Sequence, residues 1–303
     1  MNPTMWHGVF PAATTQMNED QSLDLDGTAR HIEALIASGV SGLVMLGSLG
    51  ENQALDPDEK RQVMTLAVET VGGRVPVLSG VAENSTAAAC KYARAMERLG
   101  ADGLMVLPAM VYKADPRETA AHFRAVARAT DLPIMVYNNP VAYAVDVSPE
   151  MFAELAEVEN LVAIKESSAD TRRLTDLINT VGDRYALFTG VDDLVLESVL
   201  LGAVGWVAGV GLAFPRENQR LWDLATGGAW EAARELYRWY MPLLHLDIGP
   251  HFVQKIKLAI QEAGLGTEWV RAPRLPLAGP ERDETLAVIR QAIETRPEIP
   301  ARA

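Results

Sequence analysis

The sequence is poor in cysteine and in basic residues. Cys90 has no second cysteine with which to form a disulfide within the chain, which favours a reducing compartment. The 27 lysine and arginine residues are outnumbered by 40 aspartate and glutamate residues, and the formal net charge is −13. Because an acidic chain repels the phosphates of nucleic acids and anionic membrane surfaces, we expect neither as a partner.

The sequence also lacks a long uninterrupted hydrophobic run. Its first ten residues show no basic segment followed by an apolar one, so no signal peptide is expected. The most apolar stretch, residues 199–215, is broken by several glycines and is typical of a buried strand with a glycine-rich loop, not of a membrane span. These features predict a cytoplasmic protein with no membrane partner.

Short apolar runs alternate with longer amphipathic segments over most of the chain. Many of the short runs are continuously apolar, as in a parallel sheet buried on both faces. Helical patterns lie between them, and two begin at capping sequences, at Asp56 and at Ser148. An open doubly wound sheet is disfavoured because no glycine-rich phosphate loop follows the first strand. The predicted strands are residues 8–13, 42–46, 75–79, 103–107, 133–137, 161–165, 186–189 and 205–208.

Eight strands, each followed by a helix, predict an α/β fold of the (β/α)8, or TIM, barrel type over residues 1–214. Residues 215–303 show helical patterns alone. We therefore expect a C-terminal helical extension that packs on the barrel in a single structural unit.

Lys165 differs from the other five lysines in its position. It ends the apolar run 161–164, whereas the others lie in helical or polar segments. Active sites of TIM barrels lie at the carboxyl ends of the strands. Burial there lowers the pKa of an amine and makes it more nucleophilic, so that it can form a Schiff base with a ketone. An ion pair with a neighbouring carboxylate explains the same position equally well.

Two further strand ends carry candidate groups. Tyr137 ends the preceding strand, where its phenol can shuttle protons to a substrate or simply pack and bind a backbone carbonyl. Ser48, with the backbone amides around Gly47 and Gly50, can hold a carboxylate in the way that a backbone nest binds an anion.

Three features together resemble the dihydrodipicolinate synthase / N-acetylneuraminate lyase superfamily. Residues 47–51, Gly-Ser-Leu-Gly-Glu, resemble its carboxylate-binding turn, and residues 137–140, Tyr-Asn-Asn-Pro, resemble its Tyr-Asn-x-Pro motif. Lys165 stands 165 − 137 = 28 positions after Tyr137, at the family's Schiff-base lysine. The resemblance implies a homotetramer built as a dimer of dimers, with no metal and no organic cofactor.

The predicted site combines these residues with other strand ends. Lys165, Tyr137 and Ser48 are the predicted catalytic residues. Asp192 and Asp193 match positions that contact substrate hydroxyls in the sialic acid lyases, although capping of a helix explains both aspartates as well. The predicted substrate-binding residues are Gly47, Leu49, Gly50, Asn139, Ala142, Gly190, Asp192 and Gly209.

Three positions depart from the family's pattern. Ala142 stands where the synthases have an arginine for the carboxylate of their second substrate, which argues against that activity. Leu49 replaces the second hydroxyl of the turn. Met110 falls near the family's relay tyrosine, for which Tyr112 is the alternative occupant. A site with fewer polar groups favours a compact substrate over a long polyhydroxy sugar acid.

Residues 47–52 and 137–143 together resemble the 1-pyrroline-4-hydroxy-2-carboxylate deaminases of hydroxyproline breakdown. This resemblance implies that Lys165 opens a cyclic imine of a 2-oxo acid and that Tyr137 assists loss of the 4-hydroxyl. Hydrolysis then releases ammonia and 2-oxoglutarate semialdehyde. The alternatives are a pyruvate-yielding class I aldolase, a 2-keto-3-deoxy sugar acid dehydratase and a non-catalytic barrel that binds a 2-oxo acid.

Overall fold

The computed structural model describes residues 6–109 and 112–299. No helix within these ranges is both long and apolar enough to cross a membrane. The strands, β1 to β8 in chain order, are Gly8–Val9, Leu43–Met45, Val77–Val81, Gly103–Val106, Ile134–Asn138, Leu161–Glu166, Ala186–Thr189 and Gly205–Trp206. The helices, α1 to α12, are Leu25–Ala37, Pro57–Val71, Thr86–Arg98, Pro116–Ala127, Pro140–Tyr143, Pro149–Glu154, Arg172–Val181, Val195–Leu200, Pro215–Thr226, Trp230–Leu244, Phe252–Glu262 and Gly279–Glu294.

The strands are parallel and close into a barrel. Neighbours in the chain pair in sequence from β2 to β8, and β8 pairs with β1. Between β1 and β2 the contact is a parallel bridge of Ala12 with Val44. There the Val44 N–H donates to the Pro11 carbonyl at 3.0 Å, and the Ala13 N–H donates to the Val44 carbonyl at 2.9 Å. The predicted (β/α)8 barrel is therefore confirmed.

Several strand bounds differ from the prediction by one to four residues, and two differences have a clear physical reason. The first strand, predicted over residues 8–13, is continuous only over Gly8–Val9 because Pro11 has no N–H to donate to a neighbouring strand. The helices α5 and α8 were not predicted. They have four and six residues, too few for the periodicity of an amphipathic helix to be recognised.

The predicted helix caps are present. The Asp56 carboxylate accepts hydrogen bonds from the backbone of α2, and the Glu59 side chain bonds back to the Asp56 N–H, which completes a capping box. The Ser148 hydroxyl accepts from the Met151 N–H at the start of α6. These caps satisfy N–H groups that have no partner inside the helix.

All residues of the eight strands are buried, so polar side chains on them are few. Lys165 is the one basic residue on the described strands. Because successive side chains of a strand point to opposite faces, Lys165 and Glu166 lie on opposite sides of β6. The Lys165 amine is therefore the single amine on the otherwise largely apolar strands of the described barrel.

The C-terminal region is joined to the barrel by a buried ion pair. Lys257 of α11 and Glu51 are both fully buried, and the amine lies 2.6 Å from a carboxylate oxygen. The Lys257 amine also donates to the carbonyl of Trp269, while the Arg271 N–H donates to the other Glu51 oxygen. Glu51 thereby ties the turn after β2 to the C-terminal region.

We predict that Lys257→Met lowers the free energy of unfolding by about 3–5 kcal/mol, because it removes the nearest cation of the buried Glu51 carboxylate and leaves only Arg274, at 3.6 Å. Urea denaturation of the two proteins measures the difference. Arg172→Met is the matched control, since it removes an ion pair with Asp170 that lies at the surface, and we expect no measurable change. Equal effects of the two substitutions would contradict a structural role for the buried pair.

Candidate active site

A cavity of about 820 Å³ opens at the carboxyl ends of the strands. This is the end of a TIM barrel at which the loops between strands and helices build active sites. Tyr137 and Lys165 line it from β5 and β6, and Ser48 and Leu49 from the turn after β2. Residues 247–250 of the C-terminal region form part of the wall.

Lys165 lies at the base of this cavity between aromatic residues. It stands beside Tyr137 in the register of β5 with β6 and beside Phe188 in the register of β6 with β7. The Lys165 amine lies 3.9 Å from the centre of the Tyr137 ring. A Cβ atom at Gly190 would come within 2.4 Å of Lys165 Cε, so glycine at this position leaves room for the lysine chain.

Burial is the largest influence on the Lys165 amine and lowers its pKa, because the charged form loses its hydration. The negative charges that Tyr143, Asp247 and Asp192 can carry oppose this effect and raise the pKa. The amine consequently becomes neutral at a lower pH than an exposed lysine does. A neutral amine is the form that attacks a carbonyl carbon.

Asp192 connects the loops after β7 and β8. Its buried carboxylate accepts from the Trp206 indole N–H at 2.8 Å and from the backbone N–H groups of Gly209 and Val210. Burial raises the pKa of Asp192, and these hydrogen bonds oppose the rise. The Asp192 side chain lies at the start of the 3₁₀ helix Val210–Leu212 and does not cap the 3₁₀ helix Asp192–Leu194, to which Asp192 itself belongs. Most of the hydrogen bonds that its carboxylate can accept therefore come from the protein.

Asp247 lies across the cavity, in a 3₁₀ helix of the C-terminal region. A Cβ atom at Gly209 would come within 2.7 Å of the Asp247 carboxylate, so the side chain lies directly against that glycine. Part of its surface faces the cavity, but the surrounding protein removes most of its water. Burial, and then the charge of Asp192, raise the pKa of Asp247 well above the usual range, and Lys165 opposes the rise.

The hydroxyl of Tyr137 lies among other polar side chains. Asn139 donates to it at 3.0 Å and also accepts from the Ala142 N–H, which fixes the start of α5. Tyr143, at the end of α5, shares a hydrogen bond with Ser48 in which either hydroxyl can donate. Burial raises the pKa of both tyrosines.

The turn after β2 has an unusual backbone. Leu46 and Glu51 both adopt positive φ angles, 56° and 55°, a conformation that is uncommon for residues other than glycine. Asn52 closes the turn by donating to the Leu46 carbonyl at 2.8 Å. The N–H groups of Ser48 and Leu49 make no hydrogen bond within residues 6–109 and 112–299, so they are available to an anion.

The cavity brings together most of the predicted site residues. Gly47 and Gly50 lie in the turn behind the lining, and a Cβ atom at Gly50 would meet the backbone of Leu46 at 2.8 Å. The predicted residues that line the cavity are Ser48, Leu49, Tyr137, Asn139, Ala142, Lys165, Gly190, Asp192 and Gly209.

Of the two residues considered for the relay position, Met110 lies outside the described residues. Tyr112 is 60% exposed and donates to Glu118 at 2.6 Å, so it does not line the cavity of its own chain.

Asp247, Tyr143 and Arg274 are among the lining residues that were not predicted from the sequence. Asp247 and Arg274 come from the C-terminal region, which was expected to contribute packing only. The sequence signal for Asp247 is an acidic residue in an apolar segment just before Gly249 and Pro250. Tyr143 stands close to the Tyr-Asn-Asn-Pro motif, and that proximity is its only signal.

Metal ligands do not converge in the described parts of the chain. No group of three or more histidine, cysteine, aspartate or glutamate side chains there could hold a metal ion. The cavity offers carboxylates, hydroxyls and an amine as its reactive groups.

A parallel barrel with a desolvated lysine at its mouth defines the class of (β/α)8-barrel lyases. The chain belongs to the dihydrodipicolinate synthetase family, whose model matches residues 5–292. It is 34% identical, over 272 residues, to the 4-hydroxy-tetrahydrodipicolinate synthase of Methanospirillum hungatei JF-1. The match covers 89% of this chain and 93% of the relative.

Solved structures agree with this membership. Dihydrodipicolinate synthase from Bacillus anthracis is 28% identical to this chain and has a TM-score of 0.90. The match covers 97% of this chain and 99% of that one. A prophage protein of the dihydrodipicolinic acid synthase family from E. coli K12, solved in complex with pyruvate, is also 28% identical. It covers 96% of this chain with 99% of its own, and its TM-score is 0.89.

We predict that Asp247→Asn lowers the pKa of Lys165 further, because it removes a negative charge that favours the charged amine. The neutral amine should then form at lower pH. Competitive reductive methylation of the folded protein across a pH series, read by peptide mass spectrometry, gives the midpoint for Lys165. Asp193→Asn is the control, since that carboxylate faces His245 at 3.6 Å. An unchanged midpoint in Asp247→Asn would show that the two groups do not interact.

Proposed function

We propose that the Lys165 amine forms a Schiff base with a 2-oxo acid or its cyclic imine. The observation that carries this proposal is the position of the amine, buried at the end of β6 against the Tyr137 ring and open to the cavity. Its lowered pKa supplies the neutral nucleophile. The free N–H groups of Ser48 and Leu49 suit the carboxylate that every 2-oxo acid carries.

For the substrate itself we propose 1-pyrroline-4-hydroxy-2-carboxylate. The polar groups of the cavity support this choice, since Asp192, Asp193 and Asp247 line it together with the Arg274 guanidinium. Arg274 can pair with the carboxylate of the cyclic imine, and an aspartate side chain can hydrogen-bond to its protonated nitrogen. The cavity exceeds the size of pyruvate, which leaves room for a five-membered ring.

The proposed reaction begins with attack of Lys165 on the imine carbon. The ring nitrogen leaves as an amine, and the substrate stays bound through a protonated Schiff base. Tyr137 then assists removal of a proton from the adjacent carbon, and the electron pair expels the 4-hydroxyl as water. Asp247, whose pKa is raised, can supply the proton to that hydroxyl. Transfer of a proton from carbon 5 to carbon 3 then turns the terminal amine into an enamine, and protonation of carbon 4 turns the enamine into an imine. Hydrolysis of this imine and of the Schiff base consumes two waters and releases ammonia and 2-oxoglutarate semialdehyde, so one water is consumed overall.

A second candidate is the synthase activity carried in the names of the relatives, since they match about nine tenths of the chain. Against it stands Ala142, which lines the cavity where the resemblance places an arginine. Arg274 lines the same cavity and forms an ion pair with Glu51 at 3.6 Å. The cavity therefore contains one guanidinium group, but it comes from residue 274 and not from residue 142. The aldolase and sugar acid dehydratase alternatives use the same Schiff base.

The homotetramer is likewise a proposal, made from family resemblance. One solved relative, 27% identical to this chain, is a monomeric variant of dihydrodipicolinate synthase.

A panel of substrates tests the proposed reaction. With the 4-hydroxypyrroline carboxylate we expect ammonia and 2-oxoglutarate semialdehyde in equal amounts, measured by a coupled dehydrogenase assay and by mass spectrometry. Lys165→Ala should abolish both products, because Lys165 is the one amine among the described residues that line the cavity. Arg274→Ala should mainly raise KM if Arg274 contacts the substrate carboxylate.

The same panel contains the rival substrates. Condensation of pyruvate with aspartate semialdehyde would establish the synthase instead, and release of pyruvate from a 4-hydroxy-2-oxo acid would establish an aldolase. Dehydration of a 2-keto-3-deoxy sugar acid would establish the dehydratase. Binding of 2-oxo acids with no turnover of any of these would leave the non-catalytic barrel.

A further inference from the structure

We propose that Tyr143 is the second phenol of the proton relay, that it passes protons between Tyr137 and Ser48, and that it belongs to the same chain as Lys165. The proposal rests on the Schiff base described above, because the relay serves proton transfers at that imine. It adds a catalytic residue that was not predicted from the sequence.

The backbone after β5 places the two phenols together. Tyr143 ends α5 and stands 143 − 137 = 6 residues after Tyr137. The two rings meet edge to face, with their centres 5.7 Å apart and an angle of 87° between their planes. Asn139 holds both ends of this arrangement, since it caps α5 through the Ala142 N–H at 2.9 Å and donates to the Tyr137 hydroxyl at 3.0 Å.

The phenols of Tyr137 and Tyr143 and the hydroxyl of Ser48 lie next to one another in the cavity. Tyr143 shares a hydrogen bond with Ser48, and its ring packs against the ring of Tyr137. All three residues line the cavity that contains the Lys165 amine. A charged phenol at Tyr143 raises the pKa of that amine.

The proposed transfer moves one proton and changes no covalent bond of the protein. Tyr137 gives its proton to the hydroxyl of the carbinolamine, and water leaves as the imine forms. Tyr143 then returns a proton to Tyr137, Ser48 returns one to Tyr143, and the solvent of the cavity supplies Ser48. In the opposite direction the series accepts the proton that is removed from the carbon next to the imine.

A test that is independent of the physiological substrate uses pyruvate in D2O. Imine formation followed by enamine formation exchanges the methyl protons of pyruvate for deuterium, and ¹H NMR follows their loss. We expect Tyr143→Phe to slow this exchange at least about tenfold, since it removes a proton carrier. The amount of imine trapped by borohydride after long incubation should stay near that of the unaltered protein.

Tyr185→Phe is the matched control. Tyr185 is a buried phenol just before β7, at the opposite end of the strand from the cavity, and donates to the Phe152 carbonyl at 2.9 Å. Its loss should leave exchange unchanged. Ser48→Ala should slow exchange as Tyr143→Phe does, and the double variant should be no slower than the worse single one, because both interrupt one path.

Three results would overturn the proposal. If the exchange rate of Tyr143→Phe were within twofold of that of the unaltered protein, Tyr143 would not belong to the relay. If Tyr143→Phe lost the trapped imine and the exchange to the same extent, Tyr143 would position Lys165 and would not carry protons. Slowing by Tyr112→Phe in place of Tyr143→Phe would give the relay to Tyr112. Absence of any trapped imine in the unaltered protein would instead defeat the proposed function itself.

Discussion

The desolvation of one amine is the constraint on which the site depends. Lys165 is the penultimate residue of β6, all of whose residues are buried, so its charge is stabilised by protein groups in place of water. Aromatic rings from β5 and β7 flank it, and the carboxylates of Asp192 and Asp247 lie close enough to shift its pKa. Burial lowers the pKa of the amine and raises the pKa of both carboxylates, and opposed shifts of this kind favour acid–base chemistry on an imine.

Buried charges also hold the loops that surround this amine. Asp192 joins the loop after β7 to the loop after β8, with its carboxylate paired to backbone and indole N–H groups. Glu51 joins the turn after β2 to Lys257 and to the backbone at Arg271. In both cases a carboxylate that would be costly to bury alone is fully paired, and the pairing fixes the distance between two walls of the cavity. The C-terminal region is thus part of the site through Asp247 as well as a support for it.

The barrel and the closeness of Tyr137 to Lys165 could be predicted from the sequence because both follow from local patterns. Continuous apolar runs predict parallel strands, and the ends of such strands must meet at one rim, which brings Tyr137 next to Lys165. Asp247 lies 247 − 165 = 82 residues after Lys165, and its contact with the cavity results from how the C-terminal region packs, for which no local pattern exists. Tyr143 belongs to a four-residue helix too short to be recognised. The turn glycines Gly47 and Gly50 lie behind the lining, because the reversed backbone of the turn directs Ser48 and Leu49 to the cavity instead.

We propose that Lys165, among the six lysines of the chain, is the nucleophile. The most direct measurement is reduction of the protein with borohydride in the presence of pyruvate, followed by peptide mapping of the adduct. We expect one pyruvate-derived adduct per chain, on the peptide that contains Lys165, and none in Lys165→Ala. An adduct on another lysine, or no adduct in a folded protein that binds pyruvate, would contradict it.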